Sequence, residues 1–174
     1  MRFWDKQDPH LAIRHGIEKY YPRLWRYCLV LTGSKPQADD LAQAACLRAL
    51  EQAAKFHPGT NLGRWMFRLT QRLWIDELRK QAIRDGKGLS SFSEHELIDP
   101  NPGPETNAMN QDVLVSVMKL PEAQRAAIVL VYVEGYSYRD AAMVLDIPVG
   151  TIMSRLAVAR KKLVQQFNEI SEAG

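Results

Sequence analysis

The sequence predicts an all-α protein made of two small helical domains joined by a flexible acidic linker. Apolar residues recur at helical spacing along 11–84 and again beyond 105. Between these stretches, over 86–104, the periodicity stops and Gly, Ser, Pro and acidic residues take over. The third observation is the stretch 136–162, YSYRDAAMVLDIPVGTIMSRLAVARKK, which reads as two helices joined by a turn too tight for an ordinary helical hairpin. The expected division is a first domain at 1–85, a linker at 86–104 and a second domain at 105–174. With 174 residues, 46% hydrophobic and 25% charged, the chain can build one medium core or two small ones.

The first helix is expected over 11–31, through Leu11, Ile13, Ile17, Tyr20, Leu24, Tyr27 and Leu31, with a bend or a fresh start at Tyr21-Pro22. Ahead of it Trp4 sits in a short polar start. Ser34 or Lys35-Pro36 opens a second helix that runs to about residue 54, with Asp39 and Asp40 near its positive end. A loop follows at 56–61. The third helix, 62–84, has two apolar stripes, Leu62, Met66, Leu69 and Leu73 beside Phe67, Trp74 and Leu78. On its remaining side Arg64, Arg68, Arg72 and Arg79 fall within about 80° of each other. Asp76 and Glu77 lie off this row, so its repulsion is unrelieved within the helix and a polyanion is the expected partner. Trp65, at the edge of the row and next to the loop, suits stacking on an unpaired base; core packing is the plainer alternative.

From Gly88 to Asp112 there are acids (Glu94, Glu96, Asp99, Glu105, Asp112) and no Lys or Arg. Stretched at about 3.3–3.6 Å per residue, 86–104 spans about 60–70 Å. Two basic heads so tethered reach sites nearly two turns apart on one duplex, at about 34–36 Å per turn. In the second domain a helix over 105–118 points Val113, Leu114 and Val117 inward, and the next begins at Leu120-Pro121-Glu122 with its core at 126–133. Gly135 suits a left-handed helix end. Ser137 then caps the first helix of the pair, and Asp146-Ile147-Pro148 ends it. In the second, Ile152, Leu156, Ala159 and Leu163 share one face, while Thr151, Ser154, Arg155, Val158 and Lys162 share the other. Between 149 and 163 the charges are Arg155, Arg160, Lys161 and Lys162, with no acid. A helix with one dry side and one basic, hydroxyl-bearing side suits a DNA major groove.

These segments, in this order, resemble a bacterial RNA polymerase sigma factor of the extracytoplasmic-function (ECF) group of the sigma-70 family. The resemblance covers 11–167 and rests on DDLAQ at 39–43 with LRA at 47–49, on RWMFRLTQRLWIDELRK at 64–80, and on the run from LPEAQR at 120 to ARKKL at 163. It implies a subunit that brings core polymerase to promoters and assists DNA melting. Asp39, Asp40, Gln43, Leu47 and Arg48 would dock on the polymerase clamp, the partners being the β and β′ subunits. Phe56, Thr60 and Asn61 in the loop would capture a flipped base of the minus-ten element, and Arg64, Trp65, Arg68, Arg72 and Arg79 would hold the melted strand. Arg125, Tyr138, Arg139, Thr151, Ser154, Arg155, Val158, Lys161 and Lys162 would meet the minus-thirty-five element of promoter DNA. The linker would run along the polymerase's RNA path, and an anti-sigma factor would hold the protein inactive.

Three departures bear on which promoter is read. Arg72 stands where the family has Asn, Met153 and Val158 replace commonly basic positions, and Asp146 replaces a turn glycine. Val158 can meet a thymine methyl but cannot read guanine. Competing readings are a sigma-mimicking adaptor that sequesters an anti-sigma factor without touching DNA, a one-component regulator and an enzyme. His10, His15, His57 and His95 sit apart and no nucleophile or acid–base constellation is visible, so no enzyme, small-molecule substrate, cofactor or metal is expected. Cys28 and Cys46 read as buried thiols of a cytoplasmic protein, with no CxxC between them. No apolar run nears the ~20 residues of a membrane span. The free protein is expected to be a monomer.

Overall fold

The computed structural model describes residues 8–86 and 108–172, and every element among them is helical. The expectations for Trp4 and for most of the linker lie outside these residues. Helix α1 spans Pro9–Thr32. Asp8 caps it by accepting from the His10 N–H at 2.9 Å, and it ends where Gly33, at φ 70°, donates to the Leu29 carbonyl. The break expected at Pro22 is absent, and α1 runs through it. Pro22 forfeits one backbone hydrogen bond there, and its ring is exposed. On either side of it Ile13, Leu24 and Tyr27 are fully buried, and that packing holds the helix.

Helix α2, Lys35–Glu51, presents Ala38, Ala42, Ala45 and Ala49 to α1, and these small side chains let the helices approach closely. A single tight turn at Ala53–Lys55 leads to the loop. Helix α3, Leu62–Arg84, is capped by Asn61, whose side-chain oxygen accepts from the Arg64 N–H at 2.8 Å. It buries Met66, Phe67, Trp74 and Leu78 against α1 and α2. Inside, the Tyr27 hydroxyl donates to the buried Gln71 side-chain oxygen at 2.7 Å, which satisfies both polar groups away from water.

The second set comprises α4 (Ala108–Met118), α5 (Glu122–Ile128), α6 (Tyr138–Leu145) and α7 (Val149–Glu172). Two expectations fail here. Val113 is exposed rather than inward, and the apolar run 126–133 leaves the core after Leu130, with Tyr132 and Val133 more than half exposed. Tyr132 and Val133 turn outward because of a wider, π-helical stretch over Val129–Val133, in which the Glu134 N–H bonds back to the Val129 carbonyl. Five-residue bonding shifts the side chains out of the register of α5. The helix-turn-helix is as read. The Ser137 hydroxyl oxygen accepts from the Asp140 N–H and donates to its carboxylate, Asp146 takes the left-handed conformation at φ 56°, and α6 meets α7 at 102°. Ile152, Leu156 and Ala159 are fully buried.

The two helical sets pack on each other. One core continues from Leu24, Tyr27 and Phe67 in the first set to Met118, Leu130 and Leu156 in the second. Phe67 is the pivot, its ring 5.1 Å from that of Tyr27 and 5.8 Å, edge on, from that of Tyr136. No single helix among the described residues is long and apolar enough to cross a membrane.

Candidate nucleic-acid interface

Three exposed faces gather the residues singled out in the sequence. On α2, Asp40, Gln43, Leu47 and Arg48 lie exposed along one stripe, with Leu47 60% exposed. Arg48 pairs with Glu51 at 3.6 Å. Asp39 has a second use, since its carboxylate accepts from the Trp25 indole N–H at 2.6 Å and ties α2 to α1.

The second face combines the 56–61 loop with the arginine row of α3. Thr60 and Asn61 are exposed, the Thr60 hydroxyl donating to the His57 carbonyl at 2.8 Å and so shaping the loop. Phe56 is a correction: it is only 4% exposed and packs with Ala12, Ile13, Ala49 and Ala53, so it supports the loop from beneath and does not offer its ring to a base. Trp65 is half-buried and leans on Phe56, ring centroids 5.4 Å apart. One side of the indole is thus anchored in the core, as the plainer reading expects, and the rest stays accessible. Arg64, Arg68, Arg72 and Arg79 do lie on one side of α3, but the repulsion among them is relieved. Arg79 pairs with Asp76 at 3.3 Å, Arg64 with Asp140 of α6, and Arg68 with Asp146 of the turn at 3.5 Å. Arg72 is exposed.

The third face is the outer side of α7. Ser154, Val158 and Lys161 are exposed and Thr151, Arg155 and Lys162 are half-buried, on the side opposite the buried Ile152, Leu156 and Ala159. The Ser154 hydroxyl donates to the Thr151 carbonyl at 3.0 Å. Met153, at 53% exposure, widens an apolar strip beside the cations. Arg139 is exposed and Tyr138 half-buried at the start of α6.

Arg125 is the second correction. Expected at DNA, it is 5% exposed and donates to the Met118 carbonyl at 3.0 Å and the Leu31 carbonyl at 3.3 Å. These carbonyls belong to the last turns of α4 and α1, where a helix leaves its acceptors unpaired and its dipole favours a cation. One guanidinium thus closes two helix ends in different halves of the chain. Burial pulls its pKa down from the usual arginine value, with Glu122 acting the other way.

Residues that sequence reasoning missed lie between the halves. Glu134, its side chain 1% exposed, pairs with Arg23 at 2.6 Å. Tyr136 is wedged by Phe67, and burial pushes its hydroxyl up to about 12. The Asp140 carboxyl is held below its ordinary value, first by the Ser137 hydroxyl and further by Arg64. The available signal is the arginine row itself, in which Arg64 and Arg68 have no acid within reach on α3 and take theirs from the second set of helices. The Cys28 thiol is buried and pushed up to about 12, mainly by desolvation, which leaves it without thiolate reactivity at neutral pH. Cys46 is half-buried and also raised by burial.

A helical fold that packs a helix-turn-helix against an arginine-lined helix, with cationic faces on both α3 and α7, has the make-up of a DNA-directed protein. The comparisons with known proteins narrow the class. Sigma-70 region 2 matches residues 17–83 and Sigma-70, region 4 matches residues 111–163. The ECF RNA polymerase sigma factor EcfG of Rhodopseudomonas palustris is 35% identical over 154 residues, covering 87% of this chain and 83% of that protein. The chain belongs to the ECF group of the sigma-70 family. Among solved structures, the sigma factor RpoE of Bartonella quintana, in complex with the anti-sigma factor NepR, superposes with a TM-score of 0.76 at 26% identity, over 90% of this chain and 97% of that one. The PhyRSL–NepR complex from Sphingomonas sp. Fr1 shares the fold, with a TM-score of 0.62 at 20% identity over 87% of each chain.

Proposed function

We propose that this chain brings core RNA polymerase to its promoters, grips them at two elements and helps to open the DNA between them. The observation that carries the reading is the pair of cationic helix faces on α3 and α7, each backed by a dry core, in a chain of the ECF sigma family. The division of work follows from the chemistry of each face. Leu47, exposed among Asp40, Gln43 and Arg48 and flanked by Asp39, is the apolar centre of a stripe for the polymerase clamp, β and β′ being the partners. Thr60, Asn61 and the open part of Trp65 receive an unstacked base, and Arg64, Arg68, Arg72 and Arg79 hold the phosphates of the melted minus-ten strand. Thr151, Ser154, Arg155, Val158, Lys161 and Lys162 face the minus-thirty-five element, with Arg139 and Tyr138 at the edge of the groove. The acidic linker follows the polymerase's RNA path. Phe56 and Arg125 have no part in these contacts. An anti-sigma factor holds the chain inactive, as NepR partners RpoE in the Bartonella complex.

The test is transcription with core polymerase. Core plus this protein is expected to start at defined promoters in a genomic DNA pool, and Arg64→Ala with Arg68→Ala is expected to lower opening sharply. An adaptor that only sequesters an anti-sigma factor would yield no starts at all, and the double variant would bind its partner as well as before.

A further inference from the structure

We propose that the helix-turn-helix head is a latch over the arginine row, in which Asp140 and Asp146 occupy Arg64 and Arg68 at the place where the melted strand would lie. The inference rests on the reading of α3 as the strand-binding helix and adds how that helix is kept shut. Arg64 and Arg68 are one turn apart on α3, and the carboxylates that meet them stand at the two ends of α6. A carboxylate on the guanidinium offsets its charge and stands in the path of an incoming phosphate, so the closed chain and the strand-bound chain compete for the same two side chains.

The surrounding packing seats the latch. A Cβ on Gly63 would lie 2.7 Å from the Tyr20 ring and 3.1 Å from the Tyr136 hydroxyl oxygen, so the lack of a side chain at this point of α3 is what lets the second head approach. Tyr136 then meets Phe67, and the Arg23–Glu134 pair and the two hydrogen bonds of Arg125 close the far side.

The latch is also built to open. Arg64 and Asp140 are each about one third exposed, and Asp146 is 72% exposed at 3.5 Å from Arg68, so solvent and salt weaken both pairs. The Nε of Arg68 is buried without a hydrogen-bond partner among the described residues, so the closed state leaves this guanidinium short of one acceptor. A phosphate, with several acceptor oxygens, can supply it.

The test uses the full chain and two readouts, the radius of gyration by small-angle X-ray scattering and the affinity for a fluorescent oligo(dT) single strand. Asp140→Asn with Asp146→Asn is expected to expand the chain and to bind the strand about three- to tenfold tighter, the factor by which a closed population holds down apparent affinity. Glu18→Gln with Glu51→Gln changes the net charge equally and is expected to move neither readout. Asp146→Asn alone keeps the Ser137–Asp140 cap and suits the left-handed turn, so it serves as the milder variant with the same directions. An unchanged radius, an unchanged affinity, or an equal gain in the charge control overturns the latch. Failure of the strand-binding reading looks different. Arg64→Ala with Arg68→Ala removes the other half of the same pairs, so it should expand the chain as well yet bind the strand several-fold weaker. Wild-type affinity in that variant would take α3 out of strand binding, and the occlusion with it.

Discussion

The two cationic faces of this protein are built alike and kept differently. On α7 the basic residues follow one another from Arg155 to Lys162 with no acid between 149 and 163, and Ser154, Val158 and Lys161 stand open. On α3 the cations are spread along a row, and three of the four are met by carboxylates, two of which come from the other head. The difference shows that a run of like charge within one helix is not a measure of how free those charges are. On α7 the cations stand largely open, whereas on α3 Arg64 and Arg68 are met by the other head and Arg72 and Arg79 remain exposed.

Breaking the covered face is expected to have the largest effect. Arg64→Ala with Arg68→Ala should lower promoter opening on the order of 100-fold, since each lost hydrogen bond to a charged phosphate is worth about 1.5–3 kcal/mol. Permanganate footprinting with core polymerase reads this directly, and opening within a few-fold of wild type would place the row away from the strand.

Separating the two faces comes next. Arg125→Met leaves the last-turn carbonyls of α1 and α4 without their donor, and should cost about 2–3 kcal/mol in urea unfolding. A loss below about 0.5 kcal/mol, the range of ordinary surface changes, would show that the guanidinium is not what joins the helix ends.

A finer contrast concerns salt. Arg72→Ala on α3 and Lys161→Ala on α7 each remove an exposed cation, and each should reduce the slope of log K against log salt for promoter binding by about one unit. A change in only one of the two would assign the phosphate contacts to a single face.

The smallest effect is that of pH. The folded-state pKa of Asp140 lies below its unfolded value, so its stabilising contribution is complete above about pH 4 and is lost as pH falls through the folded value. The loss should be at most about 1 kcal/mol, because the pair is partly solvated. Asp140→Asn should flatten this part of the stability–pH profile, and an unaltered profile would remove the carboxylate from the account.

What could be read from the sequence was whatever depends on neighbours along the chain. Ser137 as a cap, Asp146 in the left-handed turn and the dry stripe of Ile152, Leu156 and Ala159 are properties of a few consecutive residues, and all stand as expected. Arg64 meets Asp140 across a separation of 76 residues, and Arg23 meets Glu134 across 111, which no helical period records. Phe56 and Arg125 were misplaced for the same reason, since burial of a loop aromatic or of an arginine is decided by what packs above it. Val113 faces solvent although it belongs to an apolar pattern, and Tyr132 and Val133 do so because a π-helical turn shifts the register. Pro22 marked a break that core packing on both sides of it overrides.

The central claim is that the open face of α7 and the covered face of α3 act on one promoter, carried there by core polymerase. Mapping of transcript starts from a genomic pool with core enzyme and purified protein tests it most directly. The account predicts starts that share two sequence elements about two duplex turns apart, lost when Arg64 and Arg68 are both replaced and displaced or weakened when Arg155 is replaced. Starts that are indifferent to both substitutions, or no starts at all, would contradict it.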